Sequence, residues 1–255
     1  MALDLRQLTE RLPETPIHYF STIDSTMTEA TRLAAEGAPH GTLVIADEQT
    51  AGVGRFGRTW HSEANDGIYC SFILRLPLPA SSVAVATLAL GLATREAIQQ
   101  ATGLACDLRW PNDVLVDDYK VAGILAQLLD SRIVAGVGIN VNQQSLPEGL
   151  RTPATSLRLA AGGRIFAREP IIVGLVNEIE EFCTILVEQG AGAILKAFAA
   201  SSTYIINRRV IYEGETGFER GTTAGLDSNG FLLVRDNEGQ TRTVYTGGVR
   251  PDTGQ

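Results

Sequence analysis

The chain has 255 residues, of which 44% are hydrophobic and 20% charged, and its formal net charge is −8. This composition is ordinary for a globular protein, and the length suits one large domain or a large domain with a small one. The negative charge argues against general binding of DNA or RNA, because phosphate contacts need surplus Lys and Arg. The sequence has no secretory signal and no run of about 18 apolar residues, so we expect a cytoplasmic protein that does not bind a membrane.

The three cysteines, Cys70, Cys106 and Cys183, are far apart in the sequence. Their odd number and the lack of a Cys-x-x-Cys pair argue against a disulfide framework or a zinc site, and favour a reducing compartment. We expect each to be a small core residue rather than a nucleophile. The histidines are equally scattered and indicate neither a catalytic triad nor a three-histidine metal site.

The first 200 residues alternate between short apolar segments and longer helical patterns. The predicted strands are Ile17–Phe20, Leu43–Ala46, Gly67–Leu76, Leu108–Trp110, Val114–Val116, Val121–Leu129 and Ile133–Val141. One predicted helix begins at Asp24-Ser25-Thr26. Three more are predicted over Ser82–Thr102, Glu169–Gln189 and Gly192–Ala200. Their lengths, apolar stripes and start signals distinguish them from the strands. Hairpin-like strand pairs with segregated helices predict an α+β fold rather than repeated βαβ units.

From Arg209 onward the sequence changes to short β-rich pieces separated by turn residues. The pieces are Val210–Tyr212, Thr222–Leu226, Phe231–Arg235 and Thr241–Tyr245. About 50 residues of this kind predict a small β-barrel or sandwich appended to the larger domain. We therefore expect two domains, residues 1–205 and residues 206–255.

The segment from Gln49 to Trp60 carries the strongest functional signal. It holds three glycines and two arginines within seven residues, namely Gly52, Gly54, Gly57, Arg55 and Arg58. Arginines inside a glycine run offer forked donors next to open backbone N–H groups, which together suit a carboxylate or a phosphate. Trp60 adds a flat face for a ring.

This segment has three alternatives to an anion-binding loop. The glycines fit the G-x-G-x-x-G pattern of dinucleotide-binding proteins, but that pattern needs a following helix, and here a strand follows. A P-loop is excluded because no Gly-Lys-Ser/Thr ends the run. A mobile surface turn with two solvated arginines stays open.

A second cluster, Arg109-Trp110-Pro111-Asn112-Asp113, lies between two short predicted strands. Pro111 keeps Trp110 extended, so the polar pair Asn112 and Asp113 emerges at a strand end. This pair could hold a metal, a ribose or an amine. An Asx-type turn between the strands is the alternative.

Two further strands carry unusual residues. Lys120 opens a strand in which Gly123 permits close backbone approach, an arrangement that suits a point charge aimed at an anion. A solvated hairpin lysine is the alternative. In the run Gly136–Asn142, glycines alternate through an apolar strand that ends at Asn140, so the backbone there should lie against another group. That group could equally be a tightly packed helix.

Taken together, these motifs resemble the biotin–protein ligase family over about residues 18–250. The matching runs are Asp24-Ser25-Thr26, Gln49 to Trp60, Arg109 to Asp113, Lys120 to Leu125 and Gly138-Ile139-Asn140. The resemblance implies a catalytic domain with a mixed sheet and helices, related to class II aminoacyl-tRNA synthetases, followed by a small SH3-like β-barrel. Only about 17 residues precede the motifs, so we expect the monofunctional form without an N-terminal winged helix and without a repressor role on DNA.

The resemblance also implies a two-step reaction. Biotin and ATP, with magnesium, would give biotinyl-5′-AMP and pyrophosphate. A lysine on the biotin carboxyl carrier protein of acetyl-CoA carboxylase would then take the biotin. A lipoate or octanoate ligase or acyltransferase, and a non-catalytic biotin sensor, are the alternatives. A sheet edge of the main domain could pair with a second subunit or with the carrier.

Residue roles follow from the resemblance position by position. Contacts to biotin or the nucleotide are implied for Ser25, Thr26, Gln49, Gly52, Val53, Gly54, Trp60, Arg109, Asn112, Gly123 and Asn140. Of these, Ser25, Thr26 and Gln49 would contact the ureido ring of biotin, and Trp60 would stack near the adenine. The implied catalytic residues are Lys120, Arg55, Arg58 and Asp113. Lys120 would bridge carboxylate and phosphate, and Asp113 would be a magnesium ligand.

The chain departs from the family's pattern at three positions. Val53 and Met27 stand where family members often have Arg and Asn, and Arg109 stands where they often have Lys. Val53 removes one cation from the loop, which affects the expected affinity more than the expected activity. Arg109 keeps the charge of a lysine but not its shape.

Overall fold

The computed structural model describes residues 2–214 and 217–252. Within them, a seven-stranded sheet with helices on both faces is followed by a five-stranded sheet. The predicted α+β class is therefore confirmed. The second sheet does not close fully, but its short antiparallel strands are compatible with the predicted SH3-like barrel.

The main sheet has the strand order β1-β2-β3-β7-β6-β5-β4. Its strands are β1 Ile17–Phe20, β2 Thr42–Ala46, β3 Gly67–Leu74, β4 Asp107–Arg109, β5 Asp113–Val116, β6 Tyr119–Leu129 and β7 Arg132–Asn140. Neighbouring strands are antiparallel except β1 and β2, which are parallel. The predicted β6–β7 hairpin turns where expected, since Leu129 pairs with Arg132 and Asp130 has φ 53°.

The described helices are α1 Leu5–Arg11, α2 Thr26–Ala35, α3 Val83–Thr102, α4 Leu157–Ala160, α5 Arg168–Gln189 and α6 Ala191–Ala200. Two of these helices end at glycines with positive φ: Gly37 follows α2 with φ 96°, and Gly103 caps α3 with φ 76°. The helices α1 and α4 were not predicted, because elements of one or two turns carry too little periodicity to detect.

Both faces of the main sheet are buried, each against different helices. Leu43 and Ile45 of β2 point into the large core with α3 and α5, whereas Val44 between them points to α2. On the α2 face, Met27 and its helical neighbours meet Ile73 and Val134 of the sheet. This alternation follows from the two-residue period of a strand. Ser71, Gly136 and Gly138 share the parity of Ile73 and Val134, so they also lie on the α2 face.

The helix α3 with its preceding turn, residues 80–102, is long and apolar enough to cross a membrane by length and composition alone. Core helices pass the same test. In this fold, 61% of that apolar window is buried, against α5, α6 and the sheet. The helix is therefore accounted for as a packed core element.

The second sheet has the order β11-β10-β9-β8-β12. Its strands are β8 Ile206–Gly214, β9 Gly217–Leu226, β10 Leu232–Asp236, β11 Thr241–Val244 and β12 Val249–Pro251. The predicted pieces correspond to β8–β11, and only the three-residue β12 was missed. The indole N–H of Trp110 donates to the carbonyl of Gly230 at 2.9 Å, which joins this sheet to the main domain.

The cysteine thiols provide a direct check of the core. All three are free and buried, and burial raises the pKa of the Cys106 and Cys183 thiols to about 12. Because the thiolate is the reactive form, we expect a thiol-specific disulfide reagent to modify none of them in the folded protein at neutral pH. In guanidinium chloride all three should react within minutes. Rapid modification of one thiol in the folded state would contradict the packing described here.

Candidate active site

The loop between β2 and β3, residues 47–66, lies on the α2 face of the sheet, beside the start of α2. Ile23 and Gln49 form a parallel bridge there. Arg168, the first residue of α5, makes hydrogen bonds to both ends of the loop. Its guanidinium donates to the Asp47 carboxylate at 2.8 Å and to the Gly67 carbonyl at 3.0 Å. No sequence motif marks this arginine.

Gln49 holds together a cluster of polar side chains at the start of α2. Its Oε1 accepts hydrogen bonds from the backbone N–H of Thr26 at 2.9 Å and from the Thr26 hydroxyl at 3.0 Å. Its Nε2 donates to Ser62, and Ser71 donates to Thr26 Oγ1. The predicted pair Thr26 and Gln49 is therefore adjacent, although 22 residues separate the two in sequence.

Ser25 is the N-cap of α2, but its side chain makes no capping hydrogen bond. Among the residues that the structure describes, its Oγ is buried without any hydrogen-bond partner. An unsatisfied buried hydroxyl costs about 1–3 kcal/mol, so such groups are rare outside sites that wait for a ligand.

Trp60 explains the alternating glycines of β7. A Cβ atom at Gly138 would come within 2.3 Å of the indole, and one at Gly123 within 2.9 Å of it. The ring therefore lies against the backbone of β6 and β7, and any larger residue would displace it. Gly136 has the same relation to Met27, whose sulfur would be 2.8 Å from an added Cβ. The expected close approach to the glycine backbone is observed, and its partners are Trp60 and Met27.

Two cavities meet beside Trp60. The first, called here the small cavity, holds about 50 Å³ between the start of α2 and the glycines of β6 and β7; Thr26, Met27, Gln49, Val53 and Gly123 line it. The second, called here the large cavity, holds about 210 Å³; it is lined by five basic side chains, Arg55, Arg58, Lys120, Arg151 and Arg250, and by Asn112, Asp113 and Asn140. Gly54, Arg55, Trp60 and Lys120 line both.

The predicted residues Ser25, Gly52 and Arg109 line neither cavity, but Ser25 directly precedes Thr26, which lines the small cavity. A Cβ atom at Gly52 would come within 2.5 Å of the Trp60 carbonyl, so only glycine fits there. The backbone N–H of Trp60 donates to the Gly52 carbonyl at 2.8 Å, which closes the loop on itself.

Arg55 joins three parts of the chain. Its Nη1 donates to Asn112 Oδ1 at 2.9 Å and to the carbonyl of Gly247 in the C-terminal sheet domain at 2.8 Å. Burial lowers the pKa of this guanidinium, an effect that Asp113 opposes and Arg58 reinforces. Phe56 lies between the two arginines, with their guanidinium carbons 4.9 and 5.2 Å from the ring centroid. Asn112 also donates from Nδ2 to Ile124, so both ends of its amide are engaged.

Asp113 lies between two cations. Its Oδ1 is 2.5 Å from Lys120 Nζ, and its Oδ2 accepts from Arg109 at 2.7 Å. Burial by itself would raise the pKa of Asp113, but the two cations hold it below its ordinary value. The group carries one net positive charge, and Arg109 is fully covered while Lys120 faces the cavities.

Lys120 is held by its backbone as well as by its side chain. Its N–H donates to Pro153, and its carbonyl accepts from Thr155, both at 2.9 Å. The segment 153–155 therefore runs beside the start of β6 as an added piece of strand. Asn140 steadies this segment through Nδ2, which donates to the Thr155 carbonyl at 3.1 Å.

The implied role of Asp113 as a magnesium ligand does not fit this arrangement. Both carboxylate oxygens already face cations, and Asp113 is the only acidic residue among the described residues that line the large cavity. The described residues also contain no cluster of three or more His, Cys, Asp or Glu side chains placed to hold a metal. Magnesium usually keeps several waters and is bound largely through substrate phosphates, so a nucleotide could bring the ion with it.

Several lining residues carried no sequence signal. Arg151 lies in the segment between β7 and α4, and Gly247 and Arg250 belong to the C-terminal sheet domain. Each is an isolated residue of a common type, and only the packing of the two domains brings them to Arg55. Arg55, Arg58 and Lys120 were predicted from the sequence, because glycines flank the two arginines and the lysine opens a strand.

Known proteins match the chain over nearly its full length. The Biotin/lipoate A/B protein ligase family matches residues 19–144, and the Biotin protein ligase C terminal domain matches residues 205–249. The Bifunctional ligase/repressor BirA of Bacillus subtilis is 35% identical over 238 residues, which is 91% of this chain and 72% of that protein. The Biotin--[acetyl-CoA-carboxylase] ligase of Mycobacterium tuberculosis is 35% identical over 88% of this chain and 85% of its own length.

A solved structure agrees with these sequence matches. The biotin protein ligase from Aquifex aeolicus in complex with biotin and ATP superposes with a TM-score of 0.80 and 30% sequence identity, covering 92% of this chain and 97% of that one. The order of the motifs, the glycine-lined cavities and these matches lead to one assignment. The chain belongs to the biotin–protein ligase family and is a ligase.

Proposed function

We propose that this ligase condenses biotin with ATP to biotinyl-5′-AMP and pyrophosphate, and then transfers the biotin to a lysine of the biotin carboxyl carrier protein of acetyl-CoA carboxylase. The observation that carries the proposal is the meeting of the two cavities. Arg55 and Lys120 line both, so one pair of cations can face two anions that arrive from different sides.

The small cavity suits biotin. It is narrow and mostly apolar, and it has an amide and hydroxyl cluster at Gln49 and Thr26. A ureido group offers both N–H donors and a carbonyl acceptor, which such a cluster can satisfy. The apolar tail would then run past Gly123 and Gly138 and bring its carboxylate to Lys120.

The large cavity suits the triphosphate of ATP. Its five basic side chains outnumber its single carboxylate, so an anionic ligand is favoured. Trp60 borders this cavity as well, and its buried Nε1 has no hydrogen-bond partner among the described residues. The expected stacking of Trp60 near adenine stays a prediction, because part of the indole already lies against Gly138.

The first chemical step needs two negatively charged groups to approach each other. The carboxylate oxygen attacks the α-phosphorus, a new O–P bond forms, and pyrophosphate leaves with the electron pair of the bond that breaks. Positioning and charge neutralisation supply most of the catalysis in such displacements. Lys120 and Arg55 are placed to do both, and Asp113 with Arg109 holds the Lys120 ammonium in place.

A pyrophosphate exchange assay tests the first step. With biotin present, we expect exchange of labelled pyrophosphate into ATP, and no exchange without it. Exchange with lipoate or octanoate but not with biotin would replace this proposal by a lipoate ligase. Binding of biotin without any exchange would replace it by a biotin sensor. The biotin ligase is favoured over a lipoate or octanoate ligase, because the polar cluster at Gln49 would find no hydrogen-bond partner on the dithiolane ring of lipoate or the alkyl end of octanoate.

Ser25→Ala separates a ligand contact from a structural role. Because Ser25 Oγ lacks a partner, its removal should leave the free energy of unfolding unchanged or slightly raised. If the hydroxyl waits for the ureido group, the dissociation constant of biotin should rise about 3–10-fold. Calorimetric titration and urea unfolding measure the two effects. Ser71→Ala is the control, since it removes a hydroxyl that donates to Thr26 and should lower stability.

The buried free thiols support a reducing compartment, so we propose a cytoplasmic enzyme.

We also propose that the chain forms a homodimer through the edge of β6. The strand β5 pairs with β6 only as far as Gly123, and beyond it the described residues pair β6 with β7 alone. The N–H of Ile124 points away from β7, toward Asn112, so by alternation those of Ala126 and Leu128 point to the same open edge.

Leu128→Pro tests this edge. Leu128 is 42% exposed, and proline there removes an N–H that β7 does not use. We expect sedimentation equilibrium with biotin and ATP to show dimers for the native chain and at least a tenfold weaker association for the variant. Equal association of both proteins would mean that the edge is not the interface.

A further inference from the structure

A third cavity of about 160 Å³ opens between α3, β6 and the C-terminal sheet domain. Ala84 and Thr87 of α3 form one side, and Phe231 and Tyr245 of the C-terminal domain form another. The two aromatic rings are in edge contact, with centroids 5.1 Å apart. Neither the biotin site nor the nucleotide site uses this space.

The third cavity reaches the reaction centre. Arg55 lines it, as it lines the small and large cavities. It also shares Ile124 and Leu125 with the small cavity, and Trp110 and Pro111 with the large one. The three spaces therefore border one another at Arg55, which would face the carboxylate and the phosphate in the proposed reaction. The proposed reaction has three substrates. Biotin would enter the small cavity and ATP the large one, which leaves the third cavity for the carrier lysine.

The lining of the third cavity is mostly apolar. Arg55 is its only charged residue and Tyr245 its only other titratable one, among the described residues. An alkyl chain would gain from leaving water there. An amine at its end would lose its proton more easily, because desolvation and the nearby Arg55 both disfavour a second positive charge. Lysine nucleophiles are activated in this way in apolar pockets beside another cation.

We propose that the third cavity is the channel for the primary amine of the acceptor lysine, with the aliphatic stem along Ala84, Ile124 and Tyr245 and the nitrogen toward Arg55. This inference rests on the proposed function. The neutral amine nitrogen attacks the acyl carbon of biotinyl-AMP, a C–N bond forms, and the C–O bond to phosphate breaks. AMP leaves with that electron pair, and the nitrogen gives up one proton to water at the open mouth.

Simple amines test the channel in the unaltered enzyme. Enzyme with preformed adenylate is mixed with methylamine, ethylamine, n-propylamine or n-butylamine, and biotinyl amide is measured. An apolar channel should raise the second-order rate constant by up to about fourfold for each added methylene. Biotinyl-AMP in solution with the same amines is the control and should show no such rise. Equal dependence on chain length with and without enzyme would overturn the proposal.

Ala84→Met narrows the channel, and Ala80→Met is its matched control. Ala80 is exposed, precedes α3 and does not line the cavity. We expect Ala84→Met to lower transfer to the carrier protein at least tenfold and to flatten the amine series, with biotin-dependent pyrophosphate exchange within twofold of the native enzyme. Ala80→Met should change neither. Native transfer by Ala84→Met, or a parallel loss of exchange, would refute the channel.

The two proposals fail in different ways. If the native enzyme shows no biotin-dependent pyrophosphate exchange, the proposed function is wrong. If exchange and transfer are both present but the amine series is flat, only the channel is wrong.

Discussion

Lys120→Ala should lower biotin-dependent pyrophosphate exchange by about 10²–10³-fold, a loss typical for removal of one preorganised charge donor at a reacting centre. The ammonium lines both cavities, so in the proposed reaction it would face the carboxylate and the α-phosphate at once. Biotin binding should weaken much less, because the polar cluster around Gln49 does not include Lys120. The measurements are the exchange rate at saturating biotin and ATP, and the dissociation constant of biotin.

The chain offers a matched control for this variant. Its one other lysine, Lys196, lies exposed on α6. Lys196→Ala should keep native exchange. Native exchange by Lys120→Ala would show that the carboxylate and phosphate are brought together by other cations, and Arg55 would be the next residue to test.

The same variant has a second, pH-dependent signature. Asp113 is buried, and Lys120 and Arg109 keep its pKa below the ordinary value. A depressed pKa contributes stability that is present above the unfolded pKa and lost as pH falls through the folded pKa. Without Lys120, one of the two cations that lower the pKa of Asp113 is gone, so the effect of burial raises that pKa. Protonation of Asp113 then stabilises the folded state of the variant. The loss of unfolding free energy relative to the native chain should therefore be largest near pH 7 and shrink as the pH falls toward 4.

The sequence predicted most elements of the fold because they have strong periodic patterns. The continuous apolar run of β2, the 20-residue helix α3 and the β6–β7 hairpin were all found within a few residues. The parallel pairing of β1 with β2 was not, because no residue in either strand distinguishes the two directions. Pairing direction depends on where α2 packs between them.

The site was predicted in kind but not in its contacts. The glycines of β7 showed that something lies against the strand, but Gly138 and Trp60 are 78 positions apart, and the sequence does not connect them. Asn112 and Asp113 were expected to face ligands. Both line the large cavity, and within the protein the amide of Asn112 is also engaged by Arg55 and Ile124, and the carboxylate of Asp113 by two cations. The contact of Asn112 with Arg55 could not be predicted, because 57 positions separate the two residues in sequence.

Arg168 shows the same limitation most clearly, and its removal should have the largest effect on stability. Its guanidinium and the Asp47 carboxylate are both almost fully buried, and Tyr19 donates a further hydrogen bond to Asp47 at 2.6 Å. Removing one partner of a buried ion pair leaves the other charge uncompensated and costs about 3–5 kcal/mol. We therefore expect Arg168→Met to lower the free energy of unfolding by that amount in urea titrations.

Arg168 also ties Asp47 to Gly67, the two ends of the loop that carries Arg55 and Trp60. The variant should therefore raise the KM for biotin and expose the loop to proteases under conditions in which the domain stays folded. Arg6→Met is the control, because Arg6 forms an exposed pair with Glu10 whose loss should cost about 1 kcal/mol or less. Adding Asp47→Asn to Arg168→Met should recover part of the stability, since no buried charge is then left alone, but not the loop tether. If Arg168→Met were as mild as Arg6→Met, the buried pair would not be what holds the loop ends together.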